Sequence, residues 1–290
     1  MTTVNSISGG QSSAYLMANY PADYNVFALI RINKPEAAPK DPWIKKYVES
    51  KIDEEFIATA EDDKIFYTLN DLEQYTGQEI HWVKNISFDE LIDSRRLPNK
   101  FRRICTEYMK VSPIAYWVYK NTDWPVEERL GFRANEGRRV QSYLERCNAD
   151  GFKTTKIVTG KRENGWNRYK TISYATGKFP LYEDGVTNDQ VRNFWRGKPV
   201  RFAERNNCIG CFHRSPHLLN LESKLHPEKF NWFIEQENKF KDRVNNETGA
   251  LMEDQTWREE VKYETIKSYR TQLNLFGDDF TECDSGYCDL

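Results

Sequence analysis

The sequence has no long apolar run, no excess of either charge, no internal repeat and no low-complexity tract. In 290 residues no apolar stretch approaches the roughly 20 that a helical bilayer crossing needs. The N-terminus also lacks the charged-then-apolar pattern of a secretory signal, so a cytoplasmic protein with no membrane partner is expected. With 42 basic and 44 acidic residues the net charge is -2, and bulk electrostatics do not announce a nucleic-acid binder. Any such surface has to be a local patch. A hydrophobic content of 39% beside a charged content of 30% describes a soluble, rather polar chain, long enough for one large domain with an appended portion.

Two commoner phosphate loops are also missing. The segment Ser8-Gly9-Gly10-Gln11-Ser12-Ser13 lacks the lysine of GxxxxGK[ST] and the third glycine of GxGxxG. What is present still suits an anion. Adjacent glycines permit a tight turn, and the serines place hydroxyl and N–H groups where a helix opens.

The spacing predicts a strand at Val4–Ile7, a helix at Ala14–Asn19 and a strand at Tyr24–Ile32, a βαβ opening with the glycine loop at a strand's carboxyl end. Helical spacing follows over Lys45–Ala60. A strand is predicted at Lys64–Leu69, a helix capped by Asn70, a strand at Ile80–Val83, a helix capped by Ser87, and a strand within Val126–Phe132. Residues 154–176 read as an antiparallel hairpin inserted in the α/β core. Helices are expected from Thr187 or Asn188 to Trp195, at Leu218–Leu225, Pro227–Phe240 and Gln255–Ser268. Residues 1–205 then form a nucleotide-binding α/β domain, and 206–290 a helical region ending in a cysteine-bearing tail.

Six cysteines in a reducing compartment point to metal or redox chemistry rather than a disulfide framework. Cys208-Ile209-Gly210-Cys211 is short enough for both sulfurs to reach one metal, and Cys105, Cys283 and Cys288 are the candidates to complete a zinc or iron–sulfur site. His213 and His217, four apart on an expected helix, are weaker candidate ligands. Cys147 reads as an ordinary small apolar residue. Arg133, Arg138 and Arg139 lie close together after a strand, and arginine forks match phosphate and sulfate oxygens. Glu136 among them either orients the guanidinium groups or binds magnesium. The segment from Arg192 to Arg205 mixes cations with Phe194, Trp195 and Phe202, a composition suited to holding tRNA or DNA.

These motifs together resemble a known family. Ser8–Ser13 is similar to the SGGxxS signature of the PP-loop ATP pyrophosphatases and of the phosphoadenosine phosphosulfate (PAPS) reductases, which share the adenine nucleotide alpha-hydrolase-like fold. Cys105, Lys110 and Pro113 stand at the reductase family's spacing, and Gly131–Arg139 resembles its G-[IFV]-R-A-x-E-[SG]-x-R motif. Phe179-Pro180-Leu181 with Thr187 resembles [YF]-P-L…T-x-x-D-V, and the stretch from Asn207 to Leu219 resembles the NCxxCFxxS segment of phage-encoded members.

The resemblance spans residues 1–225. It implies a mostly parallel five- or six-stranded sheet with helices on both faces, the site at the sheet's carboxyl edge, and for a phage-encoded chain the host cytoplasm. It also implies ATP or PAPS with magnesium as nucleotide, Lys110, Arg133 and Glu136 at the reacting phosphates, and a partner that donates sulfur or electrons.

Iron–sulfur reductases of this kind carry two adjacent cysteines where this chain has Ile104-Cys105, so a fourth ligand would come from Cys283 or Cys288. Working PAPS reductases end in Glu-Cys-Gly-Leu-His. Here Glu282-Cys283 matches but Asp284-Ser285 follows, leaving Cys283 either a nucleophile or a metal ligand. The expected activity is therefore ATP-dependent adenylylation with sulfur transfer to a nucleic acid or small molecule. Sulfonucleotide reduction releasing sulfite, and a zinc-knuckle nucleic-acid binder without catalysis, are the alternatives.

Overall fold

The computed structural model describes residues 1–241 and 255–270. The chain runs β1 (Thr3–Ile7), α1 (Gln11–Asn19), β2 (Tyr24–Ala28), β3 (Arg31–Ile32), α2 (Pro42–Ile52), β4 (Ala58–Thr59), α3 (Lys64–Thr76), β5 (Ile80–Val83) and α4 (Phe88–Arg95). It continues through α5 (Ile104–Thr106), a π-helical turn at Glu107–Val111, α6 (Ser112–Asn121), β6 (Val126–Arg129), α7 (Gly137–Leu144), β7 (Lys153–Lys161) and β8 (Asn167–Lys178). The remaining helices are α8 (Pro180–Glu183), α9 (Asn188–Trp195), α10 (Pro216–Leu225), α11 (Pro227–Asn238) and α12 (Tyr263–Ser268).

Successive strand residues point to opposite faces, so β1 and β2 serve two apolar layers at once. Val4 and Val26 join α6 and α7 in one layer, and Ile7 and Phe27 join α1, α2, α3 and α9 in the other. Strands covered on both faces suit a parallel sheet. Six strands lie in the order β5-β2-β1-β6-β8-β7, all parallel except β7, which pairs antiparallel with β8. The hairpin is thus part of the sheet, because β8 is its fifth parallel strand and only β7 is added at the edge. A third apolar cluster joins α4, the two-stranded β3–β4 ribbon and helices α10 to α12, so the helical C-terminal portion is seated on the first.

Five predicted elements differ, the first being the helix capped by Asn70, which instead lies inside α3. Lys64–Leu69 is the first half of α3, since Ile65, Phe66, Leu69 and Leu72 recur at helical spacing and all are buried. The helix predicted over Lys45–Ala60 stops at Ile52, where Asp53 turns left-handed at φ +51°. The long strand Tyr24–Ile32 breaks after Ala28, and β3 leaves the main sheet to pair with β4. Of Gln255–Ser268, only Tyr263–Ser268 is helical. Among the described residues no helix is long and apolar enough to cross a membrane.

Candidate functional site

Strand order reverses at β1, whose neighbours β2 and β6 lead to opposite edges, and open α/β sheets bind ligands outside the carboxyl ends at such a point. The glycine loop lies there. Gly9 takes φ +77°, and a Cβ on it would meet the Ile65 Cβ at 3.2 Å. Gly10 precedes α1 with no side-chain cap, and the helix has no acid in its first turn. Its first N–H groups and the positive end of its dipole therefore face the loop uncompensated.

Ser13 braces this turn from within, its Oγ accepting from the Ser8 N–H at 3.1 Å and donating to the Gly10 carbonyl at 3.0 Å. Ser12 is buried, and its Oγ has no hydrogen-bond partner among the described residues. The chain past β6 lies directly against this loop. A Cβ on Gly131 would come within 2.9 Å of the Ser12 carbonyl oxygen and 3.1 Å of the Ser13 nitrogen, so glycine alone permits the approach.

Two of the three arginines on that second loop are not free to wander. Glu136 accepts from the Arg133 N–H at 2.8 Å and Nε at 3.0 Å, while its other oxygen pairs with Arg139. Burial pushes the Glu136 carboxyl up, but Arg139 and Arg133 outweigh it and hold it below the usual carboxylate range. Arg133 also donates to Asn188 Oδ1 at 2.7 Å, and the Arg139 guanidinium lies 4.3 Å from the Phe132 ring centre. Glu136 thus orients guanidinium groups and has both oxygens engaged. Only Arg138 is exposed. Thr187 forms a capping box with Gln190 at the start of α9, and the Ala134 N–H donates to the Val186 carbonyl at 2.9 Å, latching the Phe179–Thr187 segment to the arginine loop.

Cys105, Cys208 and Cys211, 103 residues or more apart in the first case, line one small pocket of about 50 Å³, floored by Phe88, Phe233 and Trp257. Burial pushes the Cys105 thiol up to about 11 and the Cys208 thiol well above its ordinary value, and each feels the charge of Cys211. The CxxC turn is held through its carbonyls. Arg214 donates to the carbonyls of Asn206 at 2.6 Å and Cys208 at 3.2 Å, and pairs with buried Glu222 at 3.1 Å. Arg258 donates to the Phe212 carbonyl at 2.7 Å and the Tyr263 hydroxyl to that of Gly210 at 3.0 Å. Gly210 is packed so tightly that an added Cβ would lie 2.4 Å from the Phe233 ring.

Lys110 belongs to this pocket, ion-paired to buried Glu61 at 3.6 Å. Burial raises the Glu61 carboxyl, with Lys110, Lys229 and Arg214 pulling it back. Glu61 and the scaffold residues Arg214, Glu222 and Arg258 had no sequence signature, since isolated charges become visible only once buried. Glu61 and Ile65 belong to one segment, which reaches the cysteine pocket at one end and Gly9 at the other. His213 lines the pocket but His217 is on α10, so the two do not share a helix.

Three thiols on an apolar pocket form a donor set suited to zinc or an iron–sulfur cluster. Among the described residues, no three His, Cys, Asp or Glu side chains are placed to hold a single ion. Cys283 and Cys288 lie outside the described residues. The Arg192–Arg205 segment also differs from expectation. Trp195 is buried and donates Nε1 to the Gln11 carbonyl at 3.0 Å, and Phe194 and Phe202 stack edge-on against it. The segment presents cations to solvent while its rings brace the glycine loop.

No family model and no curated protein matches this sequence. Among solved structures, the chain is similar to the U34-tRNA thiolase NcsA from Methanococcus maripaludis with its [4Fe-4S] cluster, at 12% identity and a TM-score of 0.34, over 91% of this chain and 79% of that one. A likeness of that degree leaves the assignment of chemistry to the chain's own residues.

Proposed function

We propose that this protein is a PP-loop enzyme that binds ATP with magnesium at Ser8–Ser13, adenylylates an acceptor oxygen and exchanges it for sulfur, the acceptor being a nucleic acid or a small molecule. The observation that carries this reading is the uncapped, acid-free N-terminus of α1 at the point where strand order reverses, with Ser12 buried beside Gly131. The N–H groups of that turn receive the departing pyrophosphate, and Arg138 adds a mobile positive charge at the open side. Arg133 and Arg139, held by Glu136, shape a fixed cationic wall beside it.

Attack of the acceptor oxygen on the α-phosphorus breaks the bond to pyrophosphate. Sulfur then attacks the activated carbon and AMP leaves with the oxygen. Cys105, Cys208 and Cys211 are the residues that would hold an iron–sulfur cluster, and such a group would supply a place to bind and present sulfur. Lys110 and Arg103 lend positive charge to thiols that burial otherwise keeps protonated.

The test measures pyrophosphate release from ATP and sulfite release from PAPS on one anaerobic preparation, with nucleotide affinity by calorimetry. Pyrophosphate without sulfite is expected. Gln11→Glu sharpens the result, because an acid in the first turn steadies the helix by roughly 0.3–1 kcal/mol yet repels phosphate. A variant more stable but at least tenfold weaker for ATP is expected. If wild type binds neither nucleotide the reading fails, and sulfite release would replace it with sulfonucleotide reduction.

A further inference from the structure

The even charge of the whole chain hides one strongly basic projection. Beyond Ile157, β7 and β8 continue to pair, through Val158↔Tyr169 and Lys161↔Asn167, and every residue from 158 to 171 is exposed. A ribbon exposed on both faces projects from the body, touching it through Lys170 near its base. Its end is well built. Gly165 turns at φ +80°, the Arg162 N–H donates to the Trp166 carbonyl at 2.7 Å, and a bulge between Val158 and Gly160 adds twist.

Between Lys156 and Lys170 there are five cations, Lys156, Lys161, Arg162, Arg168 and Lys170, against the single carboxylate of Glu163. Lys170 lies over the Tyr119 and Trp124 rings, whereas the other four make no ion pair among the described residues. Beside them Trp166 is 74% exposed and Tyr169 50%. Cations interleaved with exposed rings are what a nucleic-acid strand engages, its phosphates on the charges and its bases on the rings.

The ribbon is also anchored at its base. Its stem is fastened to the helical run that carries Cys105, by Thr155 Oγ1 donating to Glu107 and by Ser112 Oγ donating to the Lys156 carbonyl at 3.3 Å. Just before that run, Phe101 is 82% exposed and Arg102 is exposed beside it, while Arg103 lines the cysteine pocket.

We propose that the β7–β8 ribbon is a nucleic-acid arm that grips an unpaired strand or loop, with Trp166 stacked on a base. An unpaired segment is specified because a duplex hides its base faces from a ring. The arm names the acceptor class of the proposed sulfur transfer and rests on that reading only for the chemistry, not for the binding.

Fluorescence anisotropy with a labelled single-stranded RNA, the same DNA sequence and its duplex tests the arm. We expect the single strands to bind more tightly than the duplex, the RNA–DNA preference saying which acid is used. Trp166→Ala should weaken binding about tenfold. Joint Lys161→Glu, Arg162→Glu and Arg168→Glu should lower the slope of log affinity against log salt by about 2, at ~0.7 per phosphate. These side chains are exposed, so melting temperature and ATP affinity should stay at wild-type values.

The proposal is overturned if wild type binds no single strand at low salt, or if the variants bind as wild type. Equal competition by poly-glutamate with Trp166 dispensable would make the ribbon a general polyanion site and also overturn it. Loss of ATP binding with strand binding intact would sink the adenylylation reading and leave the arm standing.

Discussion

The glycine loop and the cysteine pocket are built by opposite means. Around the loop the chain does the work locally: Gly9 turns, Gly10 leaves α1 uncapped, and Ser13 braces the turn it belongs to. Around the pocket nothing local suffices. Cys105 arrives from one helical run and Cys208 and Cys211 from a turn after α9, and that turn keeps its shape because Arg214 closes it from within while Arg258 and Tyr263 seize its carbonyls from distant segments. The first region offers backbone N–H groups to an anion and contains no titrating group. The second offers thiols in an apolar setting, which makes it sensitive to pH and to distant substitutions.

The comparison breaks most sharply at Arg214. Removing this guanidinium by Arg214→Met leaves Glu222 buried, with the longer contacts to Arg205 at 3.4 Å and His226 at 3.6 Å, and frees the Asn206 and Cys208 carbonyls. A loss of about 3–5 kcal/mol is expected by urea denaturation, with ATP affinity unchanged in the folded fraction. The reverse asymmetry is expected for Gly131→Ala. Its Cβ would press on the Ser12 carbonyl, so a loss of about 1–3 kcal/mol should accompany a drop in ATP affinity by calorimetry, while thiol labelling stays at the wild-type rate.

pH separates the two regions without any substitution. Burial holds the Cys105 thiol at about 11 against an ordinary 9.0, so it keeps its proton in the folded protein after the unfolded chain has ionised. The stability this contributes is complete below pH 9.0 and is lost as pH rises through about 11. Urea midpoints should fall over that window, and Cys105→Ala should flatten the fall. The smallest effect is expected for Trp195→Phe, which deletes one hydrogen bond to the Gln11 carbonyl and costs about 1 kcal/mol. ATP affinity should weaken slightly and the cysteine pocket should not respond.

Much of the site could be read along the chain where its parts are neighbours. The turn of the glycine loop, the Glu136 pairing with Arg133 and Arg139, and the Ser87 and Thr187 caps each depend on residues within about ten positions, and the structure places each as a unit. Apolar alternation misled where a short run is ambiguous. Ile65 and Phe66 suit strand or helix equally, and the following Leu69 and Leu72 favour the helix only when a core lies on that side. The Arg192–Arg205 rings were legible as aromatic and not as inward-facing, because direction is set by packing against α1 rather than by residue type.

What the sequence by itself determined is the set of local turns and caps, the parallel alternation, and the residue types available for phosphate and sulfur chemistry, since backbone sterics and hydrogen bonding act over a few residues. Only the tertiary structure decided which charges are buried in pairs, that Lys110 meets Glu61 beside the thiols, and that Cys105 joins Cys208 and Cys211. The reason is physical. Desolvation and close packing depend on what lies on the other side of a group, and for these groups the other side belongs to a distant part of the chain.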